Sequence, residues 1–113
     1  MNYPPNDLLQ VDRFARKVGA NEETFVEHFE AVKEPYSKRY VVAQSFKIDQ
    51  FLLIIGVDYC RDGVYFWHAK LQLEDSVEKF AAESFEELIE KLKSAIKDEK
   101  PLIGLLEVAS NFN

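Results

Sequence analysis

The chain has 113 residues, with 14 basic and 20 acidic side chains and a formal net charge of −6. That length fits a single domain spanning residues 1–113, and a 47% hydrophobic fraction with nine Phe, five Tyr and one Trp supplies a core and excludes a disordered chain. The acidic balance argues against nucleic acid and anionic membrane surfaces as partners, because both are bound through Lys and Arg.

In chain order, Met1-Asn2-Tyr3-Pro4-Pro5 has neither the basic start nor the apolar run of a secretory signal. Asn6 is placed to cap a first helix, with Asp7 favourable in its first turn. Leu8, Val11, Ala15 and Val18, with Phe14 beside them, share one helical face. Arg16 and Lys17 suit its last turn, and Gly19 the position just past the end. Asn21 caps a second helix opening with Glu22 and Glu23, on which Phe25, Phe29 and Val32 recur at helical spacing. Pro35 would end it, since proline disfavours helical backbone in the residue before it.

The pattern then turns to strands. Residues 38–47 alternate and are rich in Val, Tyr and Phe, and residues 47–50 suit a turn. Phe51–Cys60 is a nearly continuous apolar strand, central in a sheet; its apolar stretch is too short to span a bilayer. It ends in Cys60, the only cysteine, which forbids an intrachain disulfide and points to a reducing compartment, most simply the cytoplasm. Asp62-Gly63 reads as a two-residue hairpin turn, and residues 64–73 as the third strand.

That turn sets an expected register, with Asp58 facing Trp67, Val57 facing His68 and Ile54 facing Leu71. One face would carry Leu52, Ile54, Tyr65, Trp67, Leu71 and Leu73. The other would carry Val57, Tyr59, Phe66, His68 and Lys70.

Residues 74–83 are a loop or a short strand around Phe80. Ser84 and Glu87 form a capping box ahead of a third helix, whose apolar face is Phe85, Leu88, Ile89, Leu92, Ala95 and Ile96. Glu87 and Lys91 pair at the favourable spacing. Pro101 follows, and residues 102–109 read as either a strand or a short helix. The order predicts an α+β fold: a three-stranded or larger antiparallel meander with two N-terminal helices and one C-terminal helix packed on it.

Few side chains point to chemistry. Metal ligands at recognised spacings are missing, as is a phosphate-cradling glycine loop, so no metal and no cofactor is expected. Cys60 and His68 fall on opposite faces of the expected hairpin, beyond hydrogen-bond reach. His28 falls at the edge of the second helix's apolar face, where packing is the default. Asp58, expected on the core face, is a proton-transfer group in a pocket, a carboxylate bonded to a turn amide, or one exposed near the sheet's end.

Two features point to a protein partner instead. Glu23, Glu27, Glu30 and Glu34 form one helical stripe without an interspersed cation, able to steer a basic partner. The same stripe also fits a solvated face neutralised by Arg13, Arg16 and Lys17. Tyr59, Phe66 and His68, with Tyr40, are expected to share a sheet face that suits either an interface, as exposed aromatics beside charges, or ordinary coverage by the N-terminal helices, which need somewhere to pack.

The run Asp62-Gly63-Val64-Tyr65-Phe66-Trp67, followed by Ala82-Glu83-Ser84-Phe85-Glu86-Glu87-Leu88, resembles strand–strand–helix antitoxins of the HicB type. In size, charge and organisation the whole chain looks like the immunity proteins paired with bacterial toxins of contact-dependent inhibition and type VI secretion. The resemblance implies a non-enzymatic, cytoplasmic binding protein that neutralises one cognate toxin, often a basic nuclease, with the acidic stripe in place of the toxin's anionic substrate. Two alternatives stand beside it: a secretion chaperone for an effector, and a small-ligand or enzyme domain using Asp58 and His68. The sequence leaves open whether the chain is a monomer or a homodimer.

Overall fold

A computed structural model describes residues 6–29, 40–96, 104 and 107. The elements run α1 (Asn6–Ala15), α2 (Glu22–His28), β1 (Tyr40–Ile48), β2 (Phe51–Cys60), β3 (Gly63–Gln72), β4 (Val77–Ala82) and α3 (Phe85–Ile96). The four strands form one antiparallel meander in the order β1-β2-β3-β4, with the helices packed on it. The α+β architecture is therefore the expected one, with the short strand around Phe80 as its fourth member. Of residues 102–109, Gly104 and Glu107 have helical backbone and the others lie outside the described residues.

Local signals account for the helix starts. The Asn21 side chain accepts the amide of Thr24 at 2.7 Å, satisfying a donor that α2 leaves unpaired. Asn21 also exchanges two backbone hydrogen bonds with Ala43, at 2.9 and 3.0 Å, so the cap of α2 is pinned to edge strand β1. Ahead of α3 the Glu87 amide donates to Ser84 Oγ at 3.1 Å, and Glu87 Oε2 accepts the amide of Glu83 at 3.3 Å. Glu87 also pairs with Lys91 at 3.8 Å, and Lys91 Nζ donates to the carbonyl of Ala81 at 2.7 Å.

The core lies between the sheet and the pair α1 and α3. Leu53, Ile55 and Val57 of β2, Trp67, Ala69 and Leu71 of β3, and Val42 and Phe46 of β1 form the sheet side of this cluster. Val11 and Phe14 of α1 and Phe85, Leu88, Ile89, Leu92 and Ile96 of α3 form the helix side. Trp67 is fully buried, with Phe14 edge-on at 5.6 Å and Phe85 at 5.0 Å. Such edge contacts contribute about 0.5–1.5 kcal/mol each beyond the area they bury.

The opposite face of the sheet has a smaller cluster of Phe25, Ala43 and Ile54, with Phe29, Val41 and Leu52 against it. Here α2 packs on β1 and β2.

Several expectations are corrected. The β2–β3 turn is Arg61-Asp62, and Gly63 already pairs with Cys60 at a φ of 152°, a backbone open to glycine. Tyr59 then faces Val64 and Asp58 faces Phe66, so Tyr65 is an extra residue, a β-bulge. Beyond the bulge Val57 faces Trp67, Gly56 faces His68 and Leu53 faces Leu71. Relative to the expected register this is a one-residue slip, which exchanges the faces of the two strands relative to each other from the bulge onward. Trp67 and Leu71 therefore side with Val57, and Asp58 sides with Phe66 and His68.

The helices also differ in detail. α1 ends at Ala15, leaving Val18 95% exposed rather than on the apolar face. α2 ends at His28, because Phe29 takes an extended backbone (φ −127°, ψ 143°). Helical spacing therefore does not carry on from Phe25 past Phe29. Ala95 of α3 is exposed.

Candidate functional site

The sheet face under α2 gathers most of the side chains that the sequence singles out. Gly56 is the seat of the helix: a Cβ there would stand 2.8 Å from ring carbons of both Phe25 and Phe29. Across the strand pair, His68 lies opposite Gly56, and its ring centroid is 5.6 Å from that of Phe25 and 5.5 Å from that of Phe29. Phe66 follows two residues along the same face, 6.2 Å from His68. The result is an aromatic cluster of Phe25, Phe29, Phe66 and His68 that passes from buried at α2 to 42% exposed at Phe66.

Asp58 lies opposite Phe66 and is 8% exposed, the one buried charged residue among those described. It shares a face with His68 as a diagonal cross-strand neighbour, roughly 7–8 Å away between backbones. The expected separation of these two residues by the sheet is thus corrected.

Tyr59 is also corrected, in the other direction. Alternation along β2 keeps it with Val57 on the α1 side of the sheet, while the bulge in β3 turns Phe66 and His68 to the other side. There it stacks on Tyr40 with centroids 5.6 Å apart. The two rings line a cleft of about 250 Å³ with Leu8, Val11, Asp12 and Arg61. Burial, then the neighbouring Tyr40 and Asp12, raise the Tyr59 pKa above its ordinary value of 10.0. A second cleft at the hairpin tip is lined by Cys60, Arg61, Asp62 and Tyr65. Neither cleft is lined by Asp58 or His68. Cys60 lies further along β2, roughly 13 Å from Gly56 at about 3.3 Å per residue, so it is remote from His68 by distance.

The acidic stripe is present in part. Glu23 and Glu27 are exposed on α2, and neither takes part in an ion pair among the described residues. At about 100° per residue each lies roughly 160° around the helix from buried Phe25, so both project away from the sheet. Arg16, one of the candidate neutralising cations, is engaged with Asp12 at 3.2 Å. Glu30 and Glu34 lie outside the described residues. His28, in the last turn of α2, is half-buried, with its Nδ1 shielded and without a hydrogen-bond partner among the described residues.

Sequence reasoning missed Lys70 and Lys79 as a pair. They stand directly opposite each other on β3 and β4, on the same face as His68. Neither forms an ion pair among the described residues. Like charges set opposite each other destabilise a strand pair, so the arrangement is notable in an acidic chain. Only the existence and register of β4 reveal it, and β4 has the weakest strand pattern in the sequence.

Among the described residues no group of three or more His, Cys, Asp and Glu side chains is arranged to hold a metal ion. No helix formed by them is long and apolar enough to cross a membrane. Compared with family models, with curated proteins and with solved structures, the chain matches none.

Proposed function

We propose that this chain is a non-enzymatic protein-binding domain of the immunity or antitoxin class, which docks the outer face of α2 onto a basic partner and covers that partner's active surface. The observation that carries the reading is the pair Glu23 and Glu27: exposed, one helical turn apart, turned away from the sheet and free of a described counter-ion. An unneutralised acidic face of this kind speeds encounter with a basic surface and selects against acidic ones.

Their base is firm. Asn21 ties the start of α2 to β1, and Phe25 and Phe29 lock the helix over Gly56. The two carboxylates are thus held on a fixed element, which lowers the ordering cost of binding. Val26 is exposed on the same helix, and Phe66 is exposed on the sheet face beside it, so apolar surface accompanies the acidic pair.

The test is calorimetric titration with the C-terminal domain of the protein encoded beside this chain, the place where a cognate toxin is sought. Replacing Glu23 and Glu27 together with glutamine is expected to weaken binding about tenfold or more at low salt and to flatten its salt dependence. Equal affinity in the substituted and unsubstituted chains would remove the α2 surface from the reading.

A further inference from the structure

The half of the α2-side sheet face formed by β3 and β4 has no helix over it among the described residues. Phe66, Val77, Lys79 and Ala81 are exposed there, and His68 and Lys70 half-exposed. α2 covers the β1–β2 half. The molecule thus carries a helix with an acidic outer face on one half of this surface. On the other half, among the described residues, it carries an exposed, lysine-bearing strip as long as a six-pair strand ladder.

These halves are complementary under one operation. A twofold axis parallel to the strands, above the β2–β3 boundary at the height of the α2 axis, turns α2 of a second copy onto β3 and β4 of the first. Each α2 would then be held between its own β1–β2 and the β3–β4 of the other copy, with no extra layer needed. The residues that α2 presents to the second copy are those opposite Phe25, namely Glu23 and Glu27. The side chains they would meet are Lys70 and Lys79, set among Phe66, Val77 and Ala81.

We infer that this face is a self-complementary docking surface whose occupant is a second copy of this chain, α2 on β3–β4 in both directions. An interface of this type is isologous, so it closes after two copies. The pairing removes the like-charge conflict between Lys70 and Lys79 and gives Glu23 and Glu27 their counter-ions. Addition of a strand at β4 is the less suitable route: Lys91 Nζ is already bonded to the Ala81 carbonyl, and lysine at a sheet edge discourages pairing. A seven-residue helix seated on a six-pair ladder, in each direction, is a small contact, so the dimer is weak and reversible. It uses the same carboxylates as the proposed partner surface, and dimerisation and partner binding exclude each other.

The test needs this chain alone, so its outcome is independent of any partner. Sedimentation velocity is measured from micromolar to near-millimolar concentration for the unsubstituted chain, for Lys70→Glu with Lys79→Glu, and for Glu23→Lys with Glu27→Lys. Circular dichroism checks that each variant is folded, and Glu23→Gln with Glu27→Gln replaces the lysine variant if that one is not. The unsubstituted chain is expected to dimerise with rising concentration and to dissociate with salt. Each charge reversal is expected to weaken the dimer roughly tenfold or more. An equal mixture of the two reversed variants is expected to regain it, because both contacts of the mixed dimer are again of opposite charge. If the glutamine variant is used, its own loss of dimer takes the place of the mixing arm. A chain that stays monomeric throughout, or a dimer indifferent to the substitutions, overturns the inference.

Discussion

Gly56 of β2 lies directly opposite His68 of β3, and the rings of Phe25 and Phe29 fill the space that the glycine leaves. This contact holds α2 against the sheet and so positions Glu23 and Glu27. A methyl group at Gly56 would stand 2.8 Å from both phenyl rings, closer than real side chains approach. Gly56→Ala is therefore expected to destabilise the fold by about 1–3 kcal/mol, as overpacked cores do. Urea unfolding followed by tryptophan fluorescence measures it, and an unchanged midpoint would show that α2 does not seat there.

Tyr59 gives the chain a distinctive alkaline response. Burial, with Tyr40 and Asp12 nearby, raises its pKa above 10.0. The folded chain therefore keeps this proton at a pH where the unfolded chain has lost it. Its contribution to stability is full below pH 10 and is lost as pH rises beyond that. Tyr59→Phe is expected to lose less stability than the unsubstituted chain between pH 9 and about 11. Parallel pH profiles for the two chains would contradict this.

The capping box of α3 has a measurable share in stability. Ser84 Oγ accepts the amide of Glu87, and Glu87 in turn accepts the amide of Glu83. Ser84→Ala is expected to cost about 1 kcal/mol, within the range of such caps. Ser84→Gly is expected to cost only a few tenths. Thermal unfolding of the two variants side by side reads the difference, and equal losses would place the effect outside the cap.

The contrast between these features shows which parts of the fold are written locally. Asn21 and the Ser84–Glu87 box act within one turn, so the sequence spacing alone reveals them. Helical spacing likewise marks the buried side of α3 from Phe85 to Ile96, with only Ala95 turned out. The register of β2 and β3 is different, because it hangs on one extra residue, Tyr65, whose unpaired place no local pattern announces. The slip hid the common face of Asp58 and His68 and wrongly joined Tyr59 to Phe66. The end of α2 is similar. Phe29 continues the helical spacing of Phe25, yet packs its ring on the sheet from extended backbone. The lysine pair on β3 and β4 was hidden for the same reason: it exists only once the pairing of the two strands is known.

The proposed docking of the outer face of α2 onto a basic partner runs through Glu23 and Glu27. Calorimetry with the neighbouring-encoded C-terminal domain, at low and high salt, with and without the double glutamine substitution, tests it most directly. A one-to-one complex that weakens with salt is expected, with the substituted chain binding about tenfold or more weakly at low salt and with a flattened salt response. Absence of binding, or a complex indifferent to both salt and substitution, would contradict it.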